Sequence, residues 1–64
     1  MINEVIRLLE DGMWHSFSEI KEKSNLTENH FGKVVQFLKK FDLADIDDEQ
    51  KRAKISPFFL ELQV

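Results

Sequence analysis

One stretch of the chain leaves little choice of conformation. From Thr27 to Phe41 the apolar residues Phe31, Val34, Val35, Leu38 and Phe41 recur at i, i+3, i+4, i+7 and i+10. On a helix advancing about 100° per residue they stack on one side. Thr27 suits the N-cap, and Glu28 lies in the first turn, where a carboxylate favours the positive end of the helix dipole. The spacing predicts a helix over 28–41 with that stripe turned inward. Phe37 falls at the margin of the stripe, and is expected either to pack under the hairpin that follows or to be exposed at an interface. Gly32 costs about 1 kcal/mol against alanine in a helix, and is expected either to mark a close approach by another backbone or a ligand, or to be neutral.

Two further helices are predicted upstream. Ile2, Val5, Ile6 and Leu9 share a face, widened by Leu8, and Gly12 follows where a left-handed residue can close a helix over 2–11. Ser16-Phe17-Ser18-Glu19 has the form of a capping box, in which the serine accepts from the N–H of Glu19 and the carboxylate reaches back to the N–H of Ser16. It opens a short helix over 17–24 that buries Phe17 and Ile20, with Asn25 suited to a left-handed ending. Trp14 is expected in the core or in a strand leading into this helix. His15 and His30 are expected to be exposed. The break Asn25-Leu26-Thr27 joins the second helix to the third.

After Phe41 the helical period stops. Leu43, Ala44 and Ile46 precede the polar run Asp47-Asp48-Glu49-Gln50-Lys51-Arg52, and Ala53 and Ile55 follow. This predicts two short antiparallel strands within 43–56 around a charged loop. With no glycine in the loop, a tight two-residue turn is disfavoured and a longer, mobile tip is expected. Ser56-Pro57 then reads as N-cap and first position of a last short helix. Phe58, Phe59, Leu60 and Leu62 give that helix more apolar surface than one small core can take, so Phe58, Phe59 and Leu62 are candidates for a dimer interface. The alternative is that they close the open side of the first helix.

This order of elements, carried by residues 11–20, the break at 25–27, the helix through Leu38 and Phe41-Asp42-Leu43, resembles the winged helix-turn-helix family of small prokaryotic and archaeal regulators. The chain departs from the family pattern at Asp42, where glycine is common, and at Lys21, where alanine is. The resemblance covers nearly the whole chain and implies a mostly α domain with a small β-hairpin (α+β): a three-helix core, a two-stranded wing and a short C-terminal helix. It also implies that the third helix enters the DNA major groove and that the wing touches the backbone.

The residues opposite the apolar stripe, Asn29, Lys33, Gln36 and Lys40, are chemically fit for that role. Asn and Gln can pair with adenine, and Lys can reach guanine acceptors or phosphate. Thr27 and Asn29 can meet a phosphate at the helix N-terminus, and Lys51, Arg52 and Lys54 would be the backbone contacts of the wing. Against this, the net charge is −3 and the pI about 5.2, so the affinity that charge alone supplies is weak. Asp47, Asp48 and Glu49 would repel phosphate unless the loop turns them away. A protein-interaction module, meeting its partner through the wing or the C-terminal helix, is the alternative.

Other classes lack their signatures. With 64 residues, a single domain over 1–64 is expected, of marginal stability. There is no cysteine, hence no disulfide and no thiolate metal site, which makes a homodimer the simplest support. His15 and His30 have no metal-ligand spacing, and the acids at 45–49 lack the alternating pattern of a calcium loop. No nucleophile–base pair or phosphate loop is present, so neither catalysis nor a cofactor is expected. The N-terminus is too charged for a signal peptide and no apolar run would span a membrane, which makes a cytoplasmic location the expectation.

Overall fold

The computed structural model describes the backbone of residues 2–62 and the side chains of residues 3–61. Its elements follow the order α1 (Ile2–Leu9), β1 (His15–Ser16), α2 (Phe17–Lys23), α3 (Glu28–Lys40), β2 (Ala44–Asp47), β3 (Arg52–Ile55) and α4 (Pro57–Leu62). They make an α+β arrangement of four helices and a three-stranded antiparallel sheet, ordered β1-β3-β2. The two-stranded hairpin expected from sequence is therefore only part of the sheet, since β3 also pairs with β1, His15 opposite Ala53 and Ser16 opposite Arg52.

The helix boundaries follow local chemistry. Gly12 takes φ 76 after α1, and Asn25 takes φ 54 after α2, the left-handed conformation that frees the chain from the helix. The Ser16 hydroxyl accepts from the N–H of Glu19 at 3.0 Å, and the Thr27 hydroxyl from that of His30 at 3.2 Å. The reciprocal half of the capping box does not form, because Glu19 turns its carboxylate to His15 and Lys23 instead.

The core joins α1, α2, α3 and the β2–β3 hairpin. Val5 and Leu9 of α1, Ile20 of α2, Phe31, Val34 and Leu38 of α3, and Ala44, Ala53 and Ile55 of the sheet are buried together. Phe17 meets Phe31 edge to face at 5.1 Å, which locks α2 against α3. Val35 is half-buried against this core.

Phe41 corrects the predicted stripe: it is 54% exposed. The helix ends at Lys40, Phe41 is its C-cap, and Asp42 leaves with φ 55. The backbone turns before the helical period can carry the ring inward, so Phe41 lies against Phe37, 4.8 Å between centroids, on the outside. Asp42 thus occupies a conformation that glycine adopts without steric cost.

In the hairpin, Ala44 faces Ile55 and Ile46 faces Ala53 on the core side, while Asp45 faces Lys54 and Asp47 faces Arg52 on the other. The connecting turn has four residues with Lys51 at φ 54. Asp47 organises it by accepting from the N–H groups of Glu49 and Gln50 at 3.1 and 3.2 Å. The Phe17 N–H donates to the Lys51 carbonyl at 2.8 Å, fastening the hairpin to the start of α2. At the other end the Ser56 N–H donates to the Leu43 carbonyl at 3.0 Å, so α4 starts beside the end of α3.

Candidate nucleic-acid interface

The face of α3 turned away from the core is the most distinctive surface of the molecule. Asn29, Lys33, Gln36 and Lys40 fall in one sector opposite buried Phe31, Val34 and Leu38, and all four are exposed. At 1.5 Å per residue they form a ridge about 16 Å long. No carboxylate belongs to it. Glu28, the only acid of the helix, reaches back to pair with Lys21 of α2.

Ion pairing elsewhere leaves these cations unused. Lys23 pairs with Glu19, Lys39 with Asp48 and Arg52 with Asp47, each at 3.1 Å. Among the described residues, Lys33, Lys40, Lys51 and Lys54 have no carboxylate partner. The same pairs answer much of the acid in the hairpin. Asp47 is held by Arg52 and by the backbone of the turn, and Asp48 is held by Lys39. Glu49 remains exposed at the tip and has no cationic partner among the described residues. The Lys39–Asp48 pair also sets the hairpin tip along the flank of α3, beside the ridge.

The remaining candidates are placed as follows. Thr27 is exposed, with its oxygen engaged as the cap of α3. Lys51 is exposed at the left-handed end of the turn, whereas Arg52 and Lys54 lie half-buried on the outer face of the sheet. In α4, Phe58 is 64% exposed, while Phe59 packs partly buried against the core of its own chain. The reading of these two as one interface therefore separates: Phe58 points out and Phe59 helps close the core. The Leu62 side chain lies outside the described residues.

Three features were hidden from sequence reasoning. Trp14 is neither in the core nor in a strand. It precedes β1, is 38% exposed, and has Arg52 at 4.3 Å and Lys54 at 4.8 Å from its ring centre. Phe41, expected inward, instead joins Phe37, exposed as one of its two alternatives had it, in an outward aromatic pair at the end of α3. His15, expected in solvent, has only 11% of its side chain exposed. Its Nε2 lies 3.0 Å from the Asp11 carboxylate and its Nδ1 3.0 Å from Glu19. His30, by contrast, is exposed as its position suggested.

With a carboxylate on each ring nitrogen, His15 satisfies both only when doubly protonated. Burial pushes the imidazole down, but the bonds from Asp11 and Glu19 outweigh it and hold the group above its ordinary value. Asp11 is held below the ordinary carboxylate value by the Met13 N–H and by His15, and Glu19 by His15 and Lys23. Asp47 is likewise held down, by the Gln50 N–H and then by Arg52. The cluster around His15 ties the loop after α1 to β1 and α2. It leaves neither imidazole nitrogen free for acid–base work on a substrate.

Comparison with protein family models, with curated proteins and with solved structures gives no match to this chain. No helix among the described residues is long and apolar enough to cross a membrane.

Proposed function

We propose that this chain is a winged-helix domain that binds double-stranded DNA and acts in the cytoplasm as a transcriptional regulator. On this reading α3 lies in the major groove and the β2–β3 hairpin serves as the wing against the backbone. The element order and the β1-β3-β2 sheet support the architecture. One observation carries the function: the outward ridge of α3 is exposed, free of acid and, among the described residues, not covered by any other segment. Lys33 and Gln36 sit at its middle, where groove and helix approach most closely. Asn29 and Lys40 flank them, with Thr27 at the phosphate-facing end. The role is binding and not catalysis.

Replacing Lys33 and Gln36 together by alanine is expected to abolish measurable duplex binding while circular dichroism stays that of the wild type. A good base contact is worth about 1–3 kcal/mol, so losing two costs at least tenfold in affinity. Wild-type chain that fails to bind duplex DNA even at low salt and high micromolar concentration contradicts the proposal.

A second reading has its own observation. Phe37, Phe41 and Phe58 are all exposed, and the Ser56–Leu43 bond brings the start of α4 to the end of α3. A protein partner, or a second copy of the chain, would cover such rings. Sedimentation of the free protein separates the cases: a concentration-dependent dimer disrupted by Phe58→Ser supports a self-interface, which is compatible with paired DNA half-sites.

A further inference from the structure

We propose that Trp14 is a positioning residue of the wing, its indole holding Arg52 and Lys54 ready for the DNA backbone phosphate that the winged-helix reading already gives them. The inference rests on the DNA-binding reading of α3 and adds a residue, Trp14, to which nothing in the sequence pattern assigned a ligand.

The strand register defines the face. Asp45 opposite Lys54, Asp47 opposite Arg52 and Ser16 opposite Arg52 all stand on the side away from the core. Trp14 precedes His15, whose partner Ala53 is on the core side, so strand alternation sets Trp14 outward beside Lys54. The guanidinium of Arg52 at 4.3 Å and the ammonium of Lys54 at 4.8 Å from the ring centre are both within cation–π reach. Two cations from alternate positions of one strand are thereby gathered around one partly exposed ring.

The manner of holding matters. A carboxylate that orders a lysine also neutralises it, whereas an indole orders it and leaves its charge intact. Lys54 has no ion-pair partner among the described residues, although Asp45 stands across from it. Arg52 gives its Nε to Asp47 at 3.1 Å, so its terminal amino groups remain to donate. Long cationic side chains lose rotamer freedom when they bind. Here that freedom is already reduced. With two acids on the same face, the site suits a single phosphate and not a polyanionic cluster. It also lies on the hairpin whose tip is tied to the flank of α3 by Lys39 and Asp48.

The test is a fluorescence-anisotropy titration of an end-labelled, mixed-sequence duplex with the full chain over a range of salt concentrations. Each phosphate contact contributes about 0.9 to the slope of log Kobs against log salt. Lys54→Ala is expected to lower that slope by about one and to weaken low-salt binding several-fold. Trp14→Ala is expected to move both quantities the same way, and Trp14→Phe, which keeps an aromatic face, to restore most of them. A purely structural role for Trp14 would lower stability without changing the slope. If Lys54→Ala and Trp14→Phe keep the wild-type slope and affinity, and Trp14→Ala does too or fails to fold, while Lys33→Ala loses binding, the site is not a contact and the reading of α3 stands. Absence of duplex binding by the wild type removes both.

Discussion

Two surfaces of this molecule carry cations and differ in what surrounds them. On α3 the outward lysines stand among amides, Asn29 and Gln36, with no acid in their sector. On the outer face of the sheet, Arg52 and Lys54 alternate with Asp45 and Asp47, and an indole lies against both cations. The helix ridge offers undiminished charge and exposed amides; the sheet offers charge partly balanced and closely held. Formal charge over the whole chain, −3, conceals this difference. It sums residues that ion pairing has already removed from the surface field with those it has left available. Under the proposed DNA-binding function, α3 would supply affinity and sequence reading and the hairpin orientation on the backbone.

Charge reversal on each surface is the strongest way to break that division. Lys33→Glu is expected to lower duplex affinity at least tenfold at low salt, and Lys54→Glu to lower it by a smaller factor, as read by the same anisotropy titration. Equal losses would mean that the two surfaces contribute alike.

A pH series separates the halves by stability. His15 is held above 6.5 in the folded chain, so its bonds contribute fully below that value and are lost as pH rises through the raised one. Asp11, Glu19 and Asp47 are held below 3.8, 4.5 and 3.8, so their contribution is present above those values and is lost as pH falls. The thermal midpoint is therefore expected to be highest between about pH 5 and 6.5 and to fall on both sides. His15→Gln should flatten the alkaline limb and also weaken the acid limb, because His15 helps hold Asp11 and Glu19 down, while the part set by Asp47 remains. Hydrogen exchange should show the alkaline limb at residues 15–23, and part of the acid limb at the Glu49 and Gln50 amides held by Asp47.

The smallest expected effect sharpens the outline of the ridge. A Cβ at Gly32 would meet nothing within 4 Å, so no other backbone explains this glycine. Gly32→Ala should stabilise the fold by about 0.5–1 kcal/mol, measured by urea denaturation, with duplex affinity unchanged. A fall in affinity would extend the contact surface past Gln36 toward Gly32.

What the sequence disclosed was local. Ser16, Thr27, Gly12, Asn25 and Ser56-Pro57 act on their own neighbours, and each marked a boundary that the structure keeps to within a residue or two. The amphipathic face of α3 needs only its own period, so the ridge of Asn29, Lys33, Gln36 and Lys40 was legible as well. What stayed hidden depends on partners distant in the chain. The two residues of β1 are too few to show a period, and become a strand only because β3 lies beside them. Trp14 reads as a core residue until Arg52 and Lys54 reach it from that strand. Phe41 continues the apolar period on paper, but the helix has already ended when the chain arrives there. His15 lies near its carboxylates in sequence, at i−4 and i+4. That spacing carries a helical meaning, and His15 is in a strand.

Whether duplex DNA meets the outward ridge of α3 can be read residue by residue, by titrating the isotopically labelled chain with duplex DNA and following backbone amide shifts by NMR. The largest changes are expected at Asn29, Lys33, Gln36 and Lys40, with a second, weaker set at Trp14, Arg52 and Lys54. Changes gathered at Phe37, Phe41 and Phe58 with the ridge undisturbed, or no changes at all, would contradict the proposed function.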